Sequence, residues 1–242
     1  MTEQRVDQGA GGTILFDAAR APQVDADWFS PHRWRESGAL RSQPGGRGGV
    51  AIIDTPAGEA VLRHYRRGGM VARLFGDRYL FTGGDRTRSA REFRLLAELS
   101  RQGLPVPAPI ASRYVREGLR YSADLITAFI PGAATLAERL ADGALNAALA
   151  GRVGATIARF HRAGAWHADL NAHNILVQGS DTYLIDFDRG RLRRPSAGWR
   201  HANLARLKRS LVKLGAREAA GDTFDAEWWP ALMEHYERTL RE

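Results

Sequence analysis

Short apolar runs bounded by turn residues dominate the first 130 positions, and helical spacing dominates the rest. Runs at Thr13 to Phe16, Val50 to Ile53, Glu59 to Tyr65, Ile110 to Val115 and Leu119 to Ile130 predict strands. One helix interrupts them. It opens at Ser89-Ala90-Arg91-Glu92, sets Phe93, Leu96 and Leu99 on one face, and stops at Gly103. Pro131-Gly132 ends the last strand pair. Beyond it the spacing predicts helices over 135–141, over 145–163 with Leu149, Val153, Ile157 and Phe160 as core, over 203–214 with Leu204, Leu207, Leu211 and Leu214 inward, and near 228–240. Ile175-Leu176-Val177 and Tyr183-Leu184-Ile185 form a predicted hairpin. The expectation is an α+β chain with a small β-rich lobe over 13–130 and a mostly helical lobe over 131–242. Residues 1–12 are expected to be disordered, and Trp28 to Trp34 is an aromatic-basic connector without an assigned element.

The predicted hairpin carries the chemistry. His167-Ala168-Asp169-Leu170-Asn171-Ala172-His173-Asn174 leads into its first strand, and Asp186-Phe187-Asp188 leaves its second. His-x-Asp-x4-Asn, an apolar strand and then Asp-Phe is the layout of kinase catalytic and metal loops. Phosphoryl transfer needs one carboxylate to take the proton of the attacking hydroxyl, which assigns Asp169. It also needs an amide oxygen and a second carboxylate to hold Mg²⁺ against the nucleotide phosphates, which assigns Asn174 and Asp186. A metal cluster of His167, Asp169 and His173 is the competing reading. It lacks a second ligand pair at suitable spacing, and zinc suits Asn174 and Asp186 poorly.

Upstream residues fall where a kinase holds ATP. Gly45-Gly46-Arg47-Gly48-Gly49 is a glycine-rich turn, and side-chain-free backbone lets N–H groups approach phosphate. Its spacing is not G-x-G-x-x-G, so the roles of Gly45, Gly46, Gly48 and Gly49 are assigned only as a group. Arg63 stands where the phosphate-binding lysine of that template stands, with a different reach. Glu92 has two readings: ion-pair partner of Arg63, or the far half of a capping box with Ser89. Backbone near Phe129 is the expected contact for adenine.

Composition narrows the classes. The 242 residues include no cysteine, which excludes disulfides, Cys-based zinc sites and thiol catalysis. The first residues lack the apolar stretch of a signal peptide, and no apolar run approaches the ~20 residues of a membrane span. Net charge is +8, gathered in two blocks. Arg63 to Arg94 holds nine arginines against Asp77, Asp85 and Glu92, while Arg189 to Arg217 holds ten Lys or Arg and no acid. Such segregation points to an anionic partner, with solvated helix faces as the plainer alternative.

In combination these segments resemble a known family. They are Val61-Leu62-Arg63-His64-Tyr65-Arg66-Arg67-Gly68-Gly69, Arg91-Glu92-Phe93, Gly103-Leu104-Pro105-Val106-Pro107, the His167 to Leu176 loop, and Asp186-Phe187-Asp188-Arg189-Gly190. Trp199 and Asn203-Leu204-x-Arg206-Leu207-x-Arg209-Ser210-Leu211 complete the set. The chain resembles the bacterial lipopolysaccharide-core sugar kinases, of the protein-kinase-like superfamily, and among them those acting on 3-deoxy-D-manno-octulosonic acid (Kdo). The resemblance implies a bilobal protein-kinase-like fold, ATP and Mg²⁺, and phosphorylation of the Kdo 4-hydroxyl on a Kdo-lipid A precursor. It places the enzyme on the anionic cytoplasmic face of the inner membrane, as a peripheral protein without nucleic acid or an obligate protein partner. Arg66, Arg67, Arg189 and Arg191 are then candidate acceptor contacts, and Gly69 to Phe81 either meets headgroups or packs in the core. Ala168, Asp188 and the lack of Ala-Pro-Glu separate the chain from regulated protein kinases. Aminoglycoside- or choline-type kinases, heptose kinases, an inactive kinase-like scaffold and a nucleic-acid binder are the alternatives.

Overall fold

The computed structural model describes residues 1–9, 11–42, 49–66, 78–220 and 222–242. Gly45, Gly46, Gly48 and Arg67, and most of the Gly69 to Phe81 segment, lie outside the described residues. The chain divides into two compact units, Met1–Arg101 with Pro107–Phe129, and Gln102–Val106 with Ile130–Glu242.

The first unit is built on an antiparallel sheet. Its strands are β1 (Glu3–Asp7), β2 (Gly12–Asp17), β3 (Leu40–Ser42), β4 (Gly49–Thr55), β5 (Gly58–His64), β6 (Tyr79–Leu80), β7 (Pro109–Glu117) and β8 (Arg120–Ala128). They run in the order β1-β2-β7-β8-β5-β4-β3, with β6 also on β8. The expected disordered N-terminus is instead an edge strand, Glu3 to Asp7 pairing in register with Asp17 to Thr13. Its five side chains are all exposed. An edge strand is held by main-chain bonds and needs no apolar pattern, which is why a polar run concealed it. Asp17 anchors the start by accepting from the Thr2 amide at 2.8 Å.

The connector at Trp28 to Trp34 also acquires structure. Asp25 caps a 3-10 turn at Ala26–Phe29. Ser30 then caps helix α1 (Pro31–Glu36), whose first position is the proline that a helix start tolerates best. Trp34 Nε1 donates to the Trp28 carbonyl at 2.8 Å, and the two indoles meet edge to face. Together with Val24 and Phe29 they cover one sheet face, packing on Ile14, Phe16, Ile53, Leu62 and Ile126. Helix α2 (Arg88–Arg101) buries Phe93, Leu96 and Leu99.

Tyr79 is buried and Phe81 half-buried, both in an aromatic cluster with Tyr121. The Tyr79 ring lies 5.6 Å from Tyr121, and Phe81 packs on Tyr114 and Tyr121 beneath Arg116. The first basic block is likewise partly spent at home: Arg78 pairs with Glu117, and Arg94 with Glu3 and Asp85. Two of these acids, Glu3 and Glu117, lie outside the block along the chain.

In the second unit, helix α3 (Leu136–Ala141) begins in a complete capping box of Thr135 and Glu138. Helix α4 (Ala147–Arg162) crosses the last helix, and Gly151 and Gly154 make the crossing close. A Cβ at Gly154 would come within 2.1 Å of the Leu232 carbonyl oxygen. Helices α5 (Ala197–Lys213), α6 (Ala216–Ala220) and α7 (Trp229–Arg241) follow, with a π turn at Phe224–Trp228. Strand β9 (Ala134–Thr135) and the hairpin of β11 (Ile175–Gln178) and β12 (Asp181–Leu184) form a three-stranded sheet. Strands β10 (Ala165–Trp166) and β13 (Arg191–Leu192) make a short ribbon. The proline-rich connector is pinned within this unit: the Leu184 amide donates to the Pro105 carbonyl at 3.1 Å, and Arg159 donates to the Gly103 carbonyl at 2.7 Å.

Candidate active site

Hairpin pairing fixes the spacing of the proposed base and metal ligands. Ile175 faces Leu184 across β11 and β12, and the Ile185 amide donates to the Asn174 carbonyl at 3.1 Å. Asn174 therefore ends one arm, and Asp186 lies one residue beyond its partner on the other. Asn171 shapes the approach, its Oδ1 accepting from the amides of His173 and Asn174 to cap the 3-10 turn Ala172–Asn174.

His167 joins the two loops. Its Nδ1 accepts from the Asp169 amide at 3.1 Å, so Nε2 carries the hydrogen and donates to the Ile185 carbonyl at 2.9 Å. Burial holds this imidazole below its usual range, opposed only in part by the bond to Ile185. The ring packs 4.7 Å from Phe187, which stacks on Phe160 in turn. A neutral, buried histidine of this kind is a brace, and the cluster of His167, Asp169 and His173 does not form a metal site. No group of three or more His, Cys, Asp or Glu suited to a metal occurs among the described residues.

Asp169 itself is exposed. Its Oδ2 accepts from Asn171 Nδ2 at 3.0 Å and its Oδ1 from Arg206 at 2.9 Å. Asn174 turns its amide nitrogen to the Asp169 carbonyl at 2.9 Å, leaving its side-chain oxygen as the atom for a ligand. Asp186 has φ of 61°, a left-handed conformation that aspartate tolerates better than most residues and that concentrates at functional loops. One amide oxygen and one carboxylate make a hard-oxygen pair that fits Mg²⁺, with water and phosphate completing the shell. Arg189 shares the left-handed geometry, with φ also 61°.

Helix α5 steadies the loop, which sequence reasoning had not assigned. Asn203 is buried, donating to the His167 carbonyl at 2.9 Å and accepting from the His167 amide at 3.4 Å. Ser210 Oγ accepts from the Ala172 amide at 3.2 Å. Asn203, Arg206 and Ser210 recur at helical spacing on one face, a stripe of polar residues beside buried Leu204, Leu207 and Leu211. That interruption of an apolar pattern was the available signal.

In the first unit Arg63 pairs with Glu92, and the carboxylate also accepts from the Tyr65 hydroxyl. Glu92 is buried, and Ser89 lies inside α2 with its hydroxyl on the Arg113 carbonyl, so the capping-box reading is replaced by the ion pair. Burial, then the charge of Glu92, pushes the Tyr65 phenol well up, keeping it a donor. The Arg63 guanidinium also lies 4.6 Å from the Tyr65 ring centroid. Phe129 follows the last strand of the sheet, its amide donating to the Glu59 carbonyl at 2.9 Å. Gly49 opens β4 opposite His64, as a paired strand residue. Arg66 is exposed, as are Arg189 and Arg191, with the Arg191 guanidinium 5.2 Å from the Trp166 ring.

The chain is similar to known proteins. The model of the lipopolysaccharide kinase (Kdo/WaaP) family matches residues 31–236. The chain is 50% identical over 223 residues to the 3-deoxy-D-manno-octulosonic acid kinase of Stenotrophomonas maltophilia strain R551-3, covering 89% of this chain and 86% of that protein. The protein of the same name from Xanthomonas campestris pv. campestris strain B100 is 50% identical over 226 residues, with the same shares covered. Among solved structures, glucosamine kinase (crystal form B) aligns at a TM-score of 0.53 and 16% identity, over 98% of this chain and 81% of that one. WaaP in complex with acyl carrier protein aligns at 0.50 and 18% identity, over 86% and 92%. These two likenesses concern the fold, which is protein-kinase-like. On the family match and the half-identical relatives, the chain belongs to the lipopolysaccharide kinase (Kdo/WaaP) family.

Proposed function

We propose that this enzyme transfers the γ-phosphoryl group of ATP to the 4-hydroxyl of Kdo on a Kdo-lipid A precursor, at the cytoplasmic face of the inner membrane. The observation that carries the reading is 50% identity to proteins named as Kdo kinases across most of both chains. The Asp169 carboxylate takes the proton of the sugar hydroxyl as its oxygen bonds to the γ-phosphorus. The bond from that phosphorus to the β-γ bridging oxygen breaks, and ADP departs with the electron pair. Asn174 and Asp186 hold Mg²⁺, which when bound offsets the charge on the phosphate oxygens. Arg63, kept in place by Glu92 and Tyr65, supplies a fixed cation for the nucleotide phosphates.

The Kdo carboxylate and lipid A phosphates make the acceptor anionic, and the exposed Arg66, Arg189, Arg191 and Arg194 suit it. Leu192, 43% exposed within the second group, supports contact with a lipid surface. No helix among the described residues is long and apolar enough to cross a membrane. The test is turnover of ATP with Kdo-lipid A precursor, with the same lipid lacking Kdo and with an aminoglycoside, the phosphorylated position being read by NMR. Transfer to the 4-hydroxyl of the first acceptor alone is the expected result. Transfer to the aminoglycoside with none to Kdo-lipid would overturn the reading.

A further inference from the structure

The guanidinium of Arg206 stands beside the proposed base, and its surroundings set it apart from a surface ion pair. Its NH1 donates to Asp169 Oδ1 at 2.9 Å, yet both side chains are open to solvent, at 48% and 61% exposure. A pair so exposed contributes little to stability. The helix that carries it is nonetheless fixed with care. Leu204, Leu207 and Leu211 set its rotation, and Asn203 and Ser210, on the same face as Arg206, bind the backbone of the loop that bears Asp169. The root of Arg206 is thereby held in register with the base.

Asn171 already orients Asp169, bonding both its Oδ2 and its carbonyl. A second tether from Arg206 is not needed for that purpose. Among the described residues Asp169 is the single hydrogen-bond partner of Arg206, which leaves most of its planar donor fork facing solvent. A hydroxyl that approaches Asp169 therefore arrives next to a fixed cation with donors to spare. Planar guanidinium matches carboxylate in a two-bond fork, a contact that a lysine cannot reproduce.

We propose that Arg206 is an acceptor-binding residue that receives the carboxylate of the sugar acid whose hydroxyl Asp169 deprotonates, so that base and cation together select an anionic sugar. This rests on the Kdo reading above and adds a residue to the acceptor candidates Arg66, Arg67, Arg189 and Arg191. It assigns specificity to the C-terminal unit, at the loop itself.

The experiment compares wild type, Arg206→Ala and Arg206→Lys on two acceptors: Kdo-lipid A precursor and its analogue with the Kdo carboxylate reduced to a hydroxymethyl group. Wild type should favour the acid. Loss of one charge-assisted contact should raise the KM of Arg206→Ala for the acid by about 10- to 100-fold. Its KM for ATP should stay close to the parent's, and its preference for acid over reduced acceptor should collapse. Arg206→Lys should fall between, keeping charge without the fork. A fall in kcat of equal size on both acceptors, with the preference intact, would make Arg206 a tether and overturn the proposal. Wild type inactive on both Kdo acceptors would instead overturn the functional reading and this inference with it.

Discussion

The amide of Asp169 donates to Nδ1 of His167, so the proposed base and the brace of its loop are one hydrogen-bonded unit. Through Nε2 the same ring reaches the Ile185 carbonyl, next to Asp186. Loss of His167 is therefore felt at the base and at the metal ligand together.

Asp169→Ala should lower phosphoryl transfer by about 10²–10⁴-fold, the usual worth of one positioned base. The side chain is exposed, so thermal stability and ATP affinity should stay near the parent values. Single-turnover rates at matched melting temperature provide the check. A rate within a few-fold of wild type would remove Asp169 from the role.

Asp186→Asn should abolish Mg²⁺-dependent ATP binding, because a hard cation favours an anionic oxygen over an amide. Asn174→Ala should cost less, removing a neutral donor. Calorimetric titration with ATP, with and without Mg²⁺, separates the two. Equal Mg²⁺-dependent affinity in Asp186→Asn and parent would contradict the assignment.

Arg63, Tyr65 and Glu92 share one carboxylate, so their substitutions should not add. In a double-mutant cycle of Arg63→Ala and Glu92→Ala, coupling of about 0.5–3 kcal/mol is expected in stability. ATP affinity should show the same non-additivity. Additive losses in both would remove the coupling and leave Glu92 a structural role alone.

How far these residues were readable depended on distance along the chain. His167, Asp169 and Asn174 lead into one hairpin and Asp186 leaves it, so their spacing along the chain conveyed their order around it. Arg63 and Glu92 come from separate elements, and a template was needed to pair them. Tyr65 was visible only as a strand residue, because its bond to Glu92 depends on which sheet face meets α2. Asn203 and Ser210 stood out only as part of the segment that carries the family resemblance. The strand at Glu3–Asp7 escaped notice because its bonds belong to the backbone, which a polar composition does not reveal.

Acid should destabilise the second unit through His161. Burial lowers its folded pKa to about 3, against 6.5 for an open imidazole, where its Nδ1 meets the Tyr236 hydroxyl at 2.9 Å. Between these values the unfolded chain binds the extra proton, so stability is full above 6.5 and declines as pH falls toward 3. Buried His167 acts in the same direction. Urea midpoints measured from pH 7.5 to pH 5 should fall, and the fall should be shallower in His161→Phe. An equally steep fall in that variant would assign the effect to other groups.

Gly154→Ala should destabilise by about 1–3 kcal/mol, the cost of overpacking a close helix crossing. The added methyl would have to displace the main chain at Leu232, which cannot swing aside as a side chain can. Chemical denaturation reads the loss directly. A neutral result would mean that α4 and α7 separate freely.

The hold of α5 on the catalytic loop also has a consequence in time. Asn203 lies 36 residues beyond the His167 backbone that it clasps, and Ser210 lies 38 beyond Ala172. A ribosome therefore makes the proposed base and metal ligands before it makes the helix that secures them. Any truncated product ending short of Asn203 carries the whole signature motif on a loop with both anchors missing. These anchors arrive with this helix, late in synthesis.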